Sequence, residues 1–430
     1  MTALTTYIIN LESRIDRKIH ILNEFRNKNE FVVKVVPAQT HTYGNMGLWL
    51  TIRDIINYEV ANTSNEYILI CEDDHKFTKS YSKENFERVL NNAKEINAEL
   101  ILGGLSWFHS GVQVNSNLFW IDLFNGFQFS IIKRSFFKKI LSFDYTENTH
   151  ADIALSRLSE KIFCIYPYIS IQKEFGYSDI SKRNEIKGYL NSIFSSSESV
   201  LRNIELVKKY YDKNISLATK SSQVIPYNEL NLPISVITKM KFSTSKEFFN
   251  KPQFLQKFYY VEDQMDSKKI WSAVISSIGE SMKDGDDYVI ISTDNHCFHE
   301  NYSFKYIVDS IISGNYIGAD ILTGISELED QVIYICENLF WVNSISSINF
   351  LVIYKKIFDK ILNYEFRKND IIFDVLSNIT SSKFVAFPFI SKPQNGILDK
   401  KRVPRFYDNP NSRFKKVKEI TLQYLRKSFR

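Results

Sequence analysis

Apolar runs of strand length alternate with apolar residues at helical spacing along this chain. Thr6-Tyr7-Ile8-Ile9-Asn10-Leu11 predicts a buried first strand, and the polar stretch after it leads into a helix from about Ile15 to Arg26. Phe31 to Val36 is β-branched and predicts a second strand. Gly47 to Val60 sets Leu48, Ile52, Ile55 and Ile56 on one helical face. Tyr67-Ile68-Leu69-Ile70-Cys71 is wholly apolar and stops abruptly at Glu72-Asp73-Asp74-His75. Ala98 to Gly103 predicts another strand, and Phe119 to Ile132 an aromatic strand pair. Ser135 to Leu141 and Asp152 to Glu160 predict helices, and Ile162 to Ile171 closes the series. Continuous apolar strands between helices mean an α/β fold whose mainly parallel sheet is covered on both faces.

The pattern then repeats. Residues 67–170 align without a gap onto residues 288–391, at a constant offset of 221. Identical pairs include Tyr67/Tyr288, Asp73/Asp294, His75/His296, Gly103/Gly324, Ser156/Ser377, Pro167/Pro388 and Ser170/Ser391, and Asn117-Leu118-Phe119-Trp120 recurs as Asn338-Leu339-Phe340-Trp341. Solenoid repeats run roughly 20–50 residues, so this is a duplicated domain. The expected organisation is a first domain over 1–180, a helical linker over 181–232, a second copy over 233–399 and a tail over 400–430. In the linker Ser192, Ser195, Ser196, Ser197 and Ser199 interrupt the pattern, and Val200 to Tyr211 is helical. Outside the aligned block the match weakens, and Trp49 pairs with Trp271 only after a one-residue shift.

Hydrophobic residues at 44% and charged residues at 24% fit a globular chain. No apolar run is long enough to span a bilayer, and the first residues carry no basic n-region. The four cysteines show no CxxC spacing. The expected setting is reducing and cytoplasmic. Residues 400–430 hold eleven Lys or Arg against two acids, a local +9 within a chain of net +5. That tail also carries Phe406, Tyr407, Phe414, Tyr424 and Phe429. It reads either as a surface for anionic lipid at the inner membrane or for DNA, or as a helix over 413–430 packing its aromatics on the body.

Ligands of open α/β sheets bind beyond the carboxyl ends of the strands, where Glu72-Asp73-Asp74-His75 falls. Adjacent carboxylates repel unless a cation neutralises them, and hard Mg²⁺ or Mn²⁺ takes oxygen ligands. The alternative is a solvated acidic turn. The second copy is informative here, because Glu72 becomes Thr293 and Asp74 becomes Asn295, while Asp73 and His75 persist as Asp294 and His296. A metal held in the first copy alone accounts for that loss, and the retained Asp and His then fix the turn in both copies. Arg14 and Arg17 follow strand one, placed either for a nucleotide's phosphates or as plain surface charges. Asp152 has Phe373 in its place in the second copy.

Tyr7-Ile8-Ile9-Asn10-Leu11 with Arg14, Asp16 and Arg17, followed by Ile70-Cys71-Glu72-Asp73-Asp74, resembles the family 25 glycosyltransferases of lipooligosaccharide biosynthesis. Phe129-Ser130-Ile131-Ile132, Phe137 to Leu141 and Asp152 to Ser156 look like that family's next blocks. The resemblance spans about residues 5–180 and departs at Gly47-Leu48-Trp49-Leu50-Thr51, where the family usually has Ser-His. A set of glycosyltransferase-like proteins from Bacteroidetes-type bacteria, with Gly-Leu-Trp, "CEDDH" and "FGYSD" segments, is similar. The resemblance implies two tandem GT-A-like domains and a nucleotide-sugar donor, a UDP-sugar foremost. It makes Glu72 and Asp74 candidates for a Mn²⁺ or Mg²⁺ ion. Asn10, Arg14, Arg17, Glu72 and Asp73 become candidates for the donor. Asp152, with Asp74, becomes a catalytic candidate: Asp152 either deprotonates an acceptor hydroxyl or caps the helix that follows it. The acceptor implied is a surface glycan or a lipid-linked sugar. DNA bearing a hydroxymethylated base and a peptide stay open, as does a non-catalytic sugar- or nucleotide-binding scaffold.

Overall fold

The continuous apolar runs become the inner strands of the first sheet. In the computed structural model, residues 3–146, 149–177, 182–218, 227–239, 251–262, 266–300, 303–326, 331–393 and 410–428 are described. The chain begins β1 (Leu4–Asn10), α1 (Ile15–Glu24), β2 (Phe31–Pro37), α2 (Gly44–Asn62), β3 (Tyr67–Glu72) and β4 (His75–Phe77). It continues α3 (Lys83–Glu95), β5 (Leu100–Leu102), β6 (Trp107–Gln113), β7 (Leu118–Asn125), β8 (Phe129–Lys133) and α4 (Arg134–Leu141). The copy closes with α5 (Ala151–Leu158), β9 (Ile162–Ile165) and β10 (Ser170–Gln172), before α6 (Tyr189–Ala218).

The eight-stranded sheet has the order β2-β1-β3-β8-β5-β9-β7-β6. β8 and β7 run against the other six strands, which share one direction. The sheet is therefore mainly parallel with two reversed members. Phe119 to Ile132 forms two strands, as expected, but they are not partners. β7 pairs with β6 and β9, whereas β8 lies between β3 and β5. A turn through Gly126, at φ +131°, carries the chain away between them.

The second copy runs β11 (Leu232–Thr238), β12 (Phe254–Tyr260), α7 (Ser267–Asp284), β13 (Tyr288–Thr293), β14 (His296–Phe298), α8 (Phe304–Ile317) and β15 (Ile321–Thr323). It ends β16 (Val332–Cys336), β17 (Leu339–Val342), β18 (Phe350–Tyr354), α9 (Phe358–Leu362), α10 (Ile372–Ile379), β19 (Lys383–Ala386), β20 (Ser391–Pro393) and α11 (Pro410–Ser428). Its sheet order, β12-β11-β13-β18-β15-β19-β17-β16, repeats the first strand for strand. Buried contacts repeat as well. Trp120 Nε1 donates to Glu160 O at 2.8 Å, and Trp341 Nε1 to Ser381 O at 2.8 Å. Trp49 stacks on Tyr145 at 4.6 Å and Trp271 on Phe366 at 5.2 Å, which confirms the shifted tryptophan pairing. Gly103 and Gly324 are retained for a steric reason: a Cβ would lie 2.7 Å from the Phe129 ring in one copy and 2.9 Å from Phe350 Cβ in the other.

The chain divides into two compact units, Met1–Glu205 with Ile420–Arg430, and Leu206–Glu419. The linker serines do not break the helix there, and α6 runs thirty residues. Its first part buries Leu190, Phe194, Leu201 and Ile204 in the first unit. Ser192 and Ser199 donate back to carbonyls of the preceding turn. α11 behaves like α6. Phe414 packs against Phe340, Phe387 and Phe389, and Tyr424 lies edge-on to Phe163. The packed-helix alternative for the tail therefore holds for these aromatics, while Phe406, Tyr407 and Phe429 lie outside the described residues. No helix among the described residues is long and apolar enough to cross a membrane.

Candidate functional site

β1 and β3 are parallel neighbours, so their carboxyl ends arrive together. Asn10 closes β1, and its Nδ2 donates to Asp73 Oδ2 at 2.8 Å. The inward face of α1 buries Arg17 beside Ile21. Arg17 Nη1 reaches Asp73 Oδ1 at 3.1 Å and Asp74 Oδ2 at 3.5 Å, and all three side chains are largely shielded. Arg17 is thus no surface charge. The segment after β10 folds over it. Arg17 Nη2 donates to Tyr177 O at 3.1 Å and Nε to Tyr177 Oη at 3.3 Å. The guanidinium lies over the rings of Phe175 and Tyr177 at 4.8 and 4.7 Å, and Arg14 lies over Tyr177 at 5.2 Å. Tyr177 Oη also donates to the Asp16 carboxylate at 3.1 Å. Lys173 N donates to Asp74 O, and the Glu174 carboxylate accepts from Gly188 N and Leu190 N at the start of α6.

The carboxylates are held at a cost. Burial pushes Asp74 up to about 7, against the opposing pull of Arg17 and Arg14 and with Asp73 adding to the rise. Burial also raises Glu72 well above the usual carboxylate range, and the charges of Asp74, Asp152 and Asp73 raise it further. Asp152 is raised by burial, with the Gly126 N–H and His150 opposing. Glu72, Asp73, Asp74 and Asp152 therefore share one electrostatic neighbourhood. Asp74 Oδ1 is buried with no hydrogen-bond partner. Carboxylate oxygens are the donors that Mg²⁺ or Mn²⁺ prefers. Among the described residues no group of three or more His, Cys, Asp or Glu gathers around one point. An ion that is completed by substrate phosphates needs only one or two protein carboxylates, so Asp74 and Glu72 fit that kind of site.

Asp152 does not cap its helix, whose N-cap is His150. Its Oδ2 instead accepts the Gly126 N–H at 2.7 Å, pinning the β7–β8 turn. Gly126 escaped notice in the sequence, though a signal was present: it becomes Ser347 where Asp152 becomes Phe373.

The second copy keeps the scaffold and loses the charge. Asp294 Oδ2 accepts from Thr238 Oγ1 and Lys239 N, both at 3.2 Å, as Asp73 does from Asn10. His75 Nδ1 meets Ser170 Oγ at 2.7 Å, and His296 Nδ1 meets Ser391 Oγ at 2.7 Å. Both turns are fixed in the same way, which matches the structural role expected for the retained pair. Thr293, in place of Glu72, satisfies itself on Asn349 Oδ1 at 2.8 Å. The residues after Lys239, which follow the second copy's first strand as Arg14 and Arg17 follow β1, lie outside the described residues.

No protein-family model and no curated protein matches the chain. Solved structures match it weakly. The A197 protein from STIV is 15% identical over 41% of this chain and 99% of its own, with a TM-score of 0.27. Apo UDP-glucose pyrophosphorylase is 11% identical over 46% and 82%, at 0.28. The glycosyltransferase GlyE of Streptococcus pneumoniae TIGR4 is 10% identical over 73% and 99%, at 0.27. Likeness this slight assigns neither fold family nor activity.

Proposed function

We propose that the first unit is a nucleotide-sugar-dependent glycosyltransferase of GT-A type and that the second copy has lost this chemistry. The carrying observation is Asp74, with one carboxylate oxygen buried and unpartnered at the sheet end beside Arg17. The β1, β3 and α1 elements that present these groups also carry the residues resembling family 25. Asp74 and Glu72 would hold a divalent ion, which when bound offsets charge on a departing nucleoside diphosphate. Arg17, released from Asp73 and Asp74, and Arg14 would bind the diphosphate oxygens. Phe175 and Tyr177 cover Arg17, and Tyr177 also lies against Arg14. Asp152, raised by burial, is the stronger base for it and would take a proton from the acceptor hydroxyl. A UDP-sugar is the foremost donor, and a surface glycan or lipid-linked sugar the acceptor, with the protein peripheral at the inner membrane. The burial of Phe414 and Tyr424 removes part of what recommended DNA.

Thermal-shift screening of UDP-, GDP- and CMP-sugars with and without Mn²⁺ tests this. Stabilisation that needs both nucleotide and metal is expected, and it should vanish in Asp74→Asn. No metal-dependent stabilisation by any of them would leave the non-catalytic scaffold as the better account.

A further inference from the structure

The edge of Arg17 that suits an anion is already filled. Nε and Nη2 lie along one side of the planar guanidinium, the side that takes two oxygens of a carboxylate or phosphate at once. Tyr177 supplies both oxygens there, its carbonyl to Nη2 at 3.1 Å and its phenol oxygen to Nε at 3.3 Å. Nη1 belongs to Asp73 and Asp74. Release from the acidic turn would therefore free Nη1 alone, and the two-oxygen edge would stay occupied. The rings of Phe175 and Tyr177 lie over the guanidinium as well, and the Arg17 side chain is 8% exposed. No phosphate reaches this edge until Tyr177 leaves it.

The segment that holds Tyr177 in place is anchored before Gly176 and lightly held after it. Lys173 N bonds Asp74 O at 2.7 Å, and Glu174 takes two N–H groups at the start of α6. Phe175 stands edge-on to His20. Gly176 then has φ +79°, and a Cβ there would meet nothing within 4 Å. Its backbone lies in the left-handed region with open space around it. Tyr177 is 37% exposed and rests on Arg14, Asp16, Arg17 and Phe175. We propose that Gly176-Tyr177 is an autoinhibitory strap: it occupies Arg17 in the resting chain, and a nucleoside diphosphate binds only after Tyr177 swings away about Gly176. The two oxygens of the strap are neutral, whereas those of a diphosphate are charged, and a charged acceptor makes the stronger bond to a guanidinium. The exchange therefore runs towards the ligand once it arrives. Until then the apparent affinity is reduced by the fraction of molecules whose strap is open.

The diphosphate as ligand rests on the transferase reading above, but the movement of the strap can be measured without it. Gly176→Ala keeps every side-chain contact and strains only the closed backbone, by enough to raise the open fraction roughly five- to thirtyfold. Tyr177→Ala removes the phenol and its ring. On the full chain, phenylglyoxal, which modifies accessible guanidinium groups, would be followed at Arg17 by peptide mass spectrometry, and UDP with Mn²⁺ by calorimetry. Arg17 should react about fivefold faster or more in both variants than in the native chain, and UDP with Mn²⁺ should bind the Gly176→Ala chain more tightly by about the same factor. An unchanged Arg17 rate in both variants would overturn the strap. Faster reaction with UDP binding unchanged would overturn it as a gate for the diphosphate. Faster reaction with no UDP binding to any form would keep the strap and sink the transferase reading.

Discussion

Replacing Arg17 with Met tests whether the acidic turn is electrostatically strained. In the native chain Arg17 faces Asp73 at 3.1 Å and Asp74 at 3.5 Å, with side chains 8–15% exposed. Breaking a buried pair from one side costs about 3–5 kcal/mol, because the partner charge stays buried. That cost applies only while the carboxylates are charged. Asp74 sits at about 7 in the folded chain, above its ordinary value, so the folded state binds its proton more tightly than the unfolded state does. Its contribution is therefore fully present at low pH and lost as pH rises towards 7. Without Arg17, the main influence opposing the rise, that window widens upward. At pH 5, where Asp74 holds its proton, the variant should lose the aromatic stacking, about 1 kcal/mol, with the pairing to Asp73 and the hydrogen bonds to Tyr177, but not the pairing to Asp74. At pH 8 it should lose the full 3–5 kcal/mol, which at about 2–4 °C per kcal/mol is a fall of roughly 6–20 °C in Tm for a unit of this size. Calorimetry at both pH values reads this directly. An equal loss at pH 5 and pH 8 would show that Arg17 serves as packing and as the partner of Asp73 rather than as the counter-charge of Asp74.

The matched pair Asp74→Asn and Asp294→Asn separates the copies: the first should abolish donor hydrolysis and raise apo stability at pH 8, while the second should leave turnover within twofold. Similar loss of turnover from both would refute a single active copy. Ser170→Ala and Ser391→Ala each strand a buried histidine nitrogen, and urea unfolding should show comparable costs of about 1–3 kcal/mol. Because burial lowers both His75 and His296, with His296 at about 3, neither imidazole should titrate between pH 5 and 8 by NMR. Phe414→Ala removes a ring buried among three others and should cost about 3–5 kcal/mol by denaturant titration. A negligible cost there would return the tail's aromatics to surface binding.

Much of the scaffold was legible because the duplication supplied its own check. Strand β3, its abrupt acidic end and the constant register all lie in patterns that burial on both sheet faces enforces. The strand order was not legible, since β7 and β8 are consecutive in sequence yet separated in the sheet by β5 and β9. The serines of α6 misled for a related reason. Helix propensity is weak against tertiary burial, and Glu174, fifteen residues before the nearer donor's helix neighbour Tyr189, supplies the missing cap. At the site, Glu72, Asp73, Asp74, Arg17 and Asn10 stood out by type and position. The clamp of Arg17 by Tyr177 joins residues 160 apart in sequence, and no local signal encodes such a contact.

The split composition of the first unit bears on how the chain is made. Ile420–Arg430 belongs with Met1–Glu205, and Tyr424 from that last stretch covers Phe163. A ribosome releases those residues only after the whole of Leu206–Glu419 has emerged. During synthesis the first unit must wait with Phe163 uncovered, while the second has all its parts to hand. The half proposed to carry the chemistry is then begun before its neighbour and completed after it, and truncation before Ile420 would injure it rather than its neighbour.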